Sequence, residues 1–395
     1  RQYQSFSAEG YRVLAVAIKP IMDRREVYSK NDECEMELIG FISFLDPAKT
    51  DVKDVLLDLN TMGIEVKVIT GDNELVTEKI CRDVGMKVKG VLLGHEINTL
   101  TDDALGAMAE KTTIFARFAP DEKNRVIHAL KSRNHVVGYM GDGINDAPSL
   151  KTADVGISVS NAVDVAKESA QIILTHRSLR VMRDGVIEGR KTFANTMKYI
   201  MMGISSNLGN MFSVLGAIIF LPFFPMLPIH ILLNNLLYDF SQITIPSDKV
   251  DKEYVEKPQR WDMKFIKRFM LTFGPISSIF DFITFILLFG VFKLPAAAFQ
   301  TGWFLESLAT QTFVIYVIRT KKIPFIQSKP SKALLISTLT CVGIGWLLPY
   351  TPVGNYFGFY PLPWYVLLSI GFVVLGYLIC VELVKRVFYT SVSKV

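Results

Sequence analysis

The stretch VVGYMGDGINDAPSL, residues 136–150, decides how the rest of the chain is read. Val136, Val137, Tyr139 and Met140 favour a β-strand, and the run breaks at Gly141-Asp142-Gly143 before Asn145, Asp146, Ala147 and Pro148. A strand that runs into a glycine-rich turn brings free backbone N–H groups to the mouth of a sheet, where they can meet an anion. Asp142 and Asp146 add hard carboxylate oxygens of the kind Mg²⁺ takes.

Upstream, short apolar runs alternate with amphipathic helices. LIGFISFLD reads as a strand, 50–62 as a helix, IEVKVIT as a strand and 73–84 as a helix. TIFARF, a helix over 121–133 and HVVGYM follow, and DVGISV and QIILT close the series. This alternation predicts one mostly parallel sheet with helices on both faces, with ligands bound beyond the carboxyl ends of its strands. A second strand end, KVIT, runs into Thr70-Gly71-Asp72, and APDEKNRVI opens a helix bearing Lys123. Together these residues suit a Mg²⁺-and-phosphoryl site. The metal neutralises charge, Lys123 and the N–H groups hold oxygens, and Thr70 donates a hydrogen bond.

The composition excludes several other readings. Half of the 395 residues are hydrophobic, and beyond about residue 195 long apolar runs dominate. A net charge of +5 without interleaved aromatic and basic residues in the soluble half gives no nucleic-acid footprint. The four cysteines form no CxxC pair and the five histidines no HExxH, so neither a zinc site nor a disulfide framework is expected.

TGDN, FAPDEKNRVI and GDGINDAP together resemble the phosphorylation domain of P-type ATPases, an α/β haloacid-dehalogenase-like fold. LDPAKTDV (45–52) is similar to their DPP-R stretch, with Ala48-Lys49 in place of Pro-Arg, and GYRVLAVAIK (10–19) to the end of their nucleotide-binding domain. The resemblance implies that Asp142 holds the catalytic Mg²⁺, with Asp146 at the metal beside it and Asn145 in support. It also implies that Thr70, Gly71 and Asp72 order the phosphoryl group and that Arg12 lies near the ATP phosphates. The family's nucleophile sits in DKTGT, a string absent from 1–395, and the chain opens on Arg1. The expectation is therefore the C-terminal portion of a longer pump. In it, 1–38 ends a nucleotide-binding domain, 39–177 belongs to the phosphorylation domain, and 178–395 forms a stalk and six transmembrane helices.

The membrane half begins in a helix predicted from Ser178 through residue 220, about 60 Å long if continuous and so able to serve as stalk and first span. Further spans are expected near 226–245, 265–290, 299–318, 332–349 and 364–386. The loop 246–268 carries seven Lys or Arg and 319–332 carries five, while the alternate loops together hold only Lys293. This asymmetry puts the basic loops and the soluble domain on the cytoplasmic side.

Polar residues inside spans are costly and mark functional candidates. Asn207 and Asn210 share a helix face, as do Asn235 and Asp239. Asp239 has no Lys or Arg within the neighbouring spans, so a cation is its natural partner. ISSNLGN…LLNNLLYD resembles the fifth and sixth membrane helices of cation pumps, whose ligands fall at Asn207, Asn210, Asn235 and Asp239. Calcium pumps usually have Glu where Asn210 stands, and a site with one carboxylate suits Mg²⁺ better than Ca²⁺. NNLLYDFSQITIPSDKVDKEYVEKPQRWD, GPISSIFDF and VIRTKKIPFIQS resemble the bacterial magnesium-transporting P-type ATPases. That resemblance implies ATP-driven Mg²⁺ uptake across the inner membrane, with ATP, a divalent cation and the bilayer as partners, and anionic lipids at the basic loops. A pump for Ca²⁺ or another cation, a haloacid-dehalogenase phosphatase and a non-catalytic remnant are the rival readings.

Overall fold

The computed structural model describes residues 2–20, 27–45, 51–176 and 178–392. The LDPAKTDV similarity falls largely on 46–50, outside the described residues. The chain forms two compact units, Arg1–Val186 and Ile187–Val395.

The first unit opens with α1 (Gln2–Ala8), β1 (Tyr11–Ile18) and β2 (Glu37–Leu45). The strand expected over LIGFISFLD does form, but it does not enter the parallel series. As β2 it pairs antiparallel with β1, from Tyr11 opposite Leu45 to Ile18 opposite Glu37. Then follow α2 (Val52–Thr61), β3 (Val68–Ile69), α3 (Glu74–Asp83), β4 (Val91–Leu93), α4 (Gly94–Ile97) and α5 (Asp102–Lys111). β5 (Ile114–Ala116), α6 (Pro120–Ser132), β6 (Gly138–Met140) and α7 (Ala147–Thr152) come next. β7 (Val155–Val159), α8 (Asp164–Ser169) and β8 (Ile172–Leu174) complete the strand-bearing part.

Local chemistry places these boundaries. Asn73 caps α3 by accepting the Leu75 N–H at 2.7 Å, and Thr101 caps α5 through Ala104 N–H. Pro120 opens α6, where a missing N–H costs nothing.

Strands β3 to β8 are parallel, as expected, but they form two sheets of three, ordered β3-β5-β4 and β6-β7-β8, rather than one. The cause lies at β6, which bonds to β7 and leaves β3 and β6 as edge strands. α6 serves both sheets. Val126, Ala129 and Leu130 enter the core that holds Leu92 and Phe115, while Ile127 enters the one that holds Tyr139 and Leu150.

The unit boundary falls within α9 (Leu179–Phe220), a helix of 42 residues that Gly203, Gly209 and Gly216 do not interrupt. The second unit continues with α10 (Pro228–Gln242), α11 (Lys252–Glu256), α12 (Met263–Phe285) and a π-helical turn over Ile286–Val291. α13 (Ala296–Ile318), α14 (Lys332–Leu347), α15 (Pro352–Tyr356) and α16 (Trp364–Val392) follow. Asp262 caps α12 and Ser331 caps α14 with their side-chain oxygens.

Among the described residues, four helical stretches are long and apolar enough to cross a membrane: Leu179–Phe220, Met263–Val291, Lys332–Tyr350 and Trp364–Thr390. Two of the six expected spans, near 226–245 and 299–318, are not among these four, for two physical reasons. α10 has 15 residues, about 22 Å of rise, short of a hydrocarbon core of about 30 Å. α13 has 23 residues but carries Gln300, Glu306, Ser307, Thr310, Gln311 and Thr312, all buried. It packs against α10, α12, α14 and α16, so neighbouring helices rather than lipid surround it.

A buried ionic cluster ties one end of this unit together. The Asp248 carboxylate meets Lys198 Nζ at 2.7 Å and Arg319 Nε at 2.8 Å, and accepts the Ser331 N–H at 2.8 Å. The Asp248 and Arg319 side chains are almost wholly buried. Arg319 also donates to the Lys249 and Lys329 carbonyls and to Ser328. One of the basic residues counted in the 319–332 loop is thus an internal charge.

Candidate phosphoryl and cation sites

Two clusters form at the strand ends of the first unit. At the end of β3, Thr70 Oγ1 accepts the Asp72 N–H at 3.0 Å, which leaves the hydroxyl hydrogen free to donate. Arg12 on β1 meets Asp72 Oδ2 at 2.7 Å with both side chains partly exposed, and Gly71 is exposed. Arg12 therefore stands beside the Thr70-Gly71-Asp72 turn.

At the end of β6, the Lys123 ammonium on α6 reaches Asp146 Oδ1 at 2.9 Å. The Tyr139 hydroxyl donates to the same oxygen at 2.8 Å, and Gly143 N–H donates to Oδ2 at 3.2 Å. Burial alone would raise the Asp146 carboxyl, but Lys123 and Tyr139 outweigh it and hold the carboxyl below its usual range. Burial, then the neighbouring Asp146 carboxylate, push the Tyr139 phenol up. Gly141 is required here, since a Cβ would stand 2.5 Å from Asp146 Cβ. The close spacing of the turn thus fixes the carboxylate that fixes Lys123.

The two carboxylates of the turn, Asp142 and Asp146, have different surroundings. Both Asp146 oxygens are bonded within the protein, and Asp142 lines a cavity of about 310 Å³ with Asp51, Met140, Gly141, Val159 and Ser178. Ser178 bonds Asp51 at 3.1 Å on the cavity wall. Asn145 is exposed on the helical turn Ile144–Asp146. Among the described residues no group of three His, Cys, Asp or Glu is placed to cage a metal. That donor set fits Mg²⁺, which binds through one or two carboxylates, waters and phosphate oxygens, and does not fit a cation that needs an all-protein cage. Tyr139 was not singled out from the sequence, although a tyrosine in the strand that leads into the turn was the available signal.

In the second unit, the amides of three helices meet. Asn210 Nδ2 on α9 faces Gln311 Oε1 on α13 at 3.5 Å. Gln311 Nε2 donates to Asn234 Oδ1 on α10 at 2.7 Å, and Asn234 Nδ2 to Ser307 Oγ at 3.3 Å. Of the four predicted cation residues, only Asn210 joins this network. Asn207, Asn235 and Asp239 are exposed. The helices carrying them touch at the adjacent positions, through Tyr238 OH and Ser206 Oγ at 3.3 Å. Gln311 and Asn234 emerge as the residues that orient Asn210. Both were visible as amides within spans, but nothing in their spacing showed that they meet.

Residues 9–154 match the haloacid dehalogenase-like hydrolase family, and residues 223–387 match the cation transporting ATPase C-terminus. The chain is 48% identical over 389 residues, 98% of its length, to the Magnesium-transporting ATPase, P-type 1 of Escherichia coli K12. The chain belongs to the P-type ATPases. The P-type chain is also 48% identical over 388 residues to the protein of the same name from Salmonella typhimurium 14028s. It is 33% identical over 262 residues, 66% of its length, to Calcium-transporting ATPase 1 of Lactococcus lactis. It spans 43% of the length of the two magnesium-transporting relatives.

Proposed function

We propose that this chain is the phosphoryl-handling and cation-conducting part of a P-type pump that carries Mg²⁺ across the bacterial inner membrane into the cytoplasm, driven by ATP. The observation that carries the reading is the GDGINDAP turn, with Lys123 locked on Asp146 and Asp142 on a cavity, in a chain 48% identical along 98% of its length to magnesium-transporting ATPases.

Within this reading, the phosphoryl-accepting aspartate lies in the part of the longer relatives that the chain does not match. β3 and β6, which end in the two motif turns, are both edge strands, so a further parallel strand bearing that aspartate can lie between them. The Lys123 ammonium, held by Asp146 and Tyr139, and the Thr70 hydroxyl face developing negative charge on the transferred group without needing to reorganise. Asp72 and Arg12 hold the turn that presents Thr70. A bound Mg²⁺ at Asp142 would neutralise phosphate oxygens.

In the membrane we assign six crossing segments, with α10 a short one and α13 a central one shielded by its neighbours. The basic loops and soluble unit lie on the cytoplasmic side, and anionic lipids meet those loops. Asn207, Asn210, Asn235 and Asp239 hold the transported ion, with Gln311 orienting Asn210. The boundaries 1–38, 39–177 and 178–395 describe nucleotide-binding, phosphorylation and membrane parts in that longer chain.

The test is ion accumulation in a bacterium stripped of its own magnesium importers and expressing a full-length pump that contains this chain. Magnesium-dependent growth and cell Mg²⁺ should be restored by the wild type and lost with Asp239→Asn or Asp142→Asn. Accumulation of Ca²⁺ instead, or unimpaired Mg²⁺ uptake by Asp239→Asn, would overturn the assignment.

A further inference from the structure

α10 runs toward the Asp248 cluster, and its first turn, at the other end, buries a histidine that the amide network does not use. The His230 ring lies flat on Phe359, with centroids 4.1 Å apart and planes 10° apart. Phe304 of α13 tilts against Phe359 at 4.7 Å. His230, Phe304 and Phe359 are all buried. The stack thus takes one ring from α10, one from α13 and one from the turn that follows α15.

The two ring nitrogens of His230 differ. Nε2 lies 2.8 Å from the Phe357 carbonyl, which can only accept, so Nε2 carries the hydrogen. In the neutral ring Nδ1 is then a bare acceptor. It is buried, and no group of the described residues donates to it. A buried acceptor without a donor costs free energy, and such a group calls for a functional or solvent partner.

The stack stands one helical turn from the amide network on two helices. His230 and Asn234 are four apart on α10, and Phe304 and Ser307 are three apart on α13, so each pair shares a helix face. Asn234 accepts from Gln311 Nε2 at 2.7 Å and donates to Ser307 Oγ at 3.3 Å. The three rings therefore cover the network toward the starts of α10 and α13. The other ends of these two helices lead into the basic loops 246–268 and 319–332.

The third ring is borne by a turn, not by a helix. Gly358 has φ +78°, where glycine is favoured, and the chain folds back so that Phe359 N–H donates to the Gly354 carbonyl at 3.0 Å. Two hydrogen bonds attach this turn to the helices: Tyr360 N–H donates to Thr301 Oγ1 on α13 at 2.9 Å, and His230 donates to the Phe357 carbonyl. The start of α13 has its own tie, Gln300 Nε2 to the Phe224 carbonyl at 2.8 Å. A turn held in this way can lift Phe359 while α10 and α13 keep their places.

We propose that His230, Phe304 and Phe359 form an outer gate over the amide network, and that His230 Nδ1 is a binding point for the hydrated divalent cation as it enters, accepting a hydrogen bond from a metal-bound water. Mg²⁺ gives up its waters reluctantly, and those waters turn hydrogens outward. A single imidazole nitrogen in an aromatic wall suits that hydration shell better than it suits the bare, hard ion. The gate deepens the pump reading above and rests on it.

The experiment uses the full-length pump carrying Ser307→Cys, which puts a thiol one turn beneath the rings. A membrane-impermeant thiol reagent is added to right-side-out and to inverted membrane vesicles, both free of ATP. Adding Phe359→Ala should speed labelling several-fold in right-side-out vesicles and leave it unchanged in inverted ones. Phe359→Leu keeps most of the bulk and should give a smaller rise, which covers an alanine variant that fails to fold. Unchanged labelling in both variants, or a rise that appears equally in inverted vesicles, overturns the gate. The binding point is read from Mg²⁺ uptake in cells stripped of their own importers. His230→Phe keeps a stacking ring without the acceptor and should raise KM about five-fold with the maximal rate retained. His230→Gln, whose amide oxygen can accept, should fall between. An unchanged KM in His230→Phe overturns the binding point and leaves the pump reading standing. A wild type that takes up no Mg²⁺ removes the pump reading and the binding point with it.

Discussion

Without the Lys123 ammonium, Asp146 would be left largely buried beside a phenol, with one backbone amide to hold it. Lys123→Met in the full-length protein should therefore do double damage, lowering turnover on the order of 10²-fold and stability by about 2–3 kcal/mol. Tyr139→Phe should cost about 1 kcal/mol and leave Lys123 in place. The pH dependence has a definite sign. Asp146 is held below its unfolded value, so its contribution is complete above a carboxyl pKa of about 4 and disappears as pH falls through the lower folded value. Thermal unfolding of wild type and Asp146→Asn should therefore converge in acid, and a gap that persists there would contradict the pairing. At this scale the sequence was informative about chemistry and poor at assigning partners. Asp142 and Asp146 have the spacing of paired ligands, but Lys123 and Tyr139 reach Asp146 across 23 and 7 residues, a proximity that no local pattern encodes.

The helices and the turns that end in TGD and GDG could be read from periodicity, since amphipathic spacing and caps such as Asn73 act within a few residues. Strand partners could not, because sheet pairing is set at long range. The short β3 and β6 do not carry enough apolar pattern to show that they are edges of different sheets. α13 falls outside the four long apolar stretches for a related reason: it is central, so it tolerates polar residues that a lipid-facing helix would not. The α9 glycines give a prediction at this level. Gly216→Leu must push α9 off Phe282, costing about 1–3 kcal/mol and breaking the Ser213–Asp281 contact. Gly185, whose Cβ would meet nothing within 4 Å, should accept alanine with a gain of about 0.5–1 kcal/mol. Thermal unfolding of the two variants in lipid nanodiscs checks both signs, and equal effects would deny the close packing.

Across the molecule, Asp248 connects segments far apart in sequence: α9 through Lys198, α13 through Arg319 and the start of α14 through Ser331. Asp248→Asn leaves two buried cations short of their counter-charge and should destabilise the membrane unit by about 3–5 kcal/mol. Hydrogen exchange at the first turn of α14 should speed up markedly, and unchanged protection there would show that the cluster does not hold that helix. The order of synthesis gives this cluster a further consequence. Lys198 has already been made when Asp248 leaves the ribosome, but Arg319 and Ser331 follow it by 71 and 83 residues. For that interval Lys198 is the one cation of the cluster already made, an escort that pairs with the carboxylate until the later helices arrive. Arg319 then arrives as a latch: α13 and α14 lock only when the late-made helices are in register with the early ones.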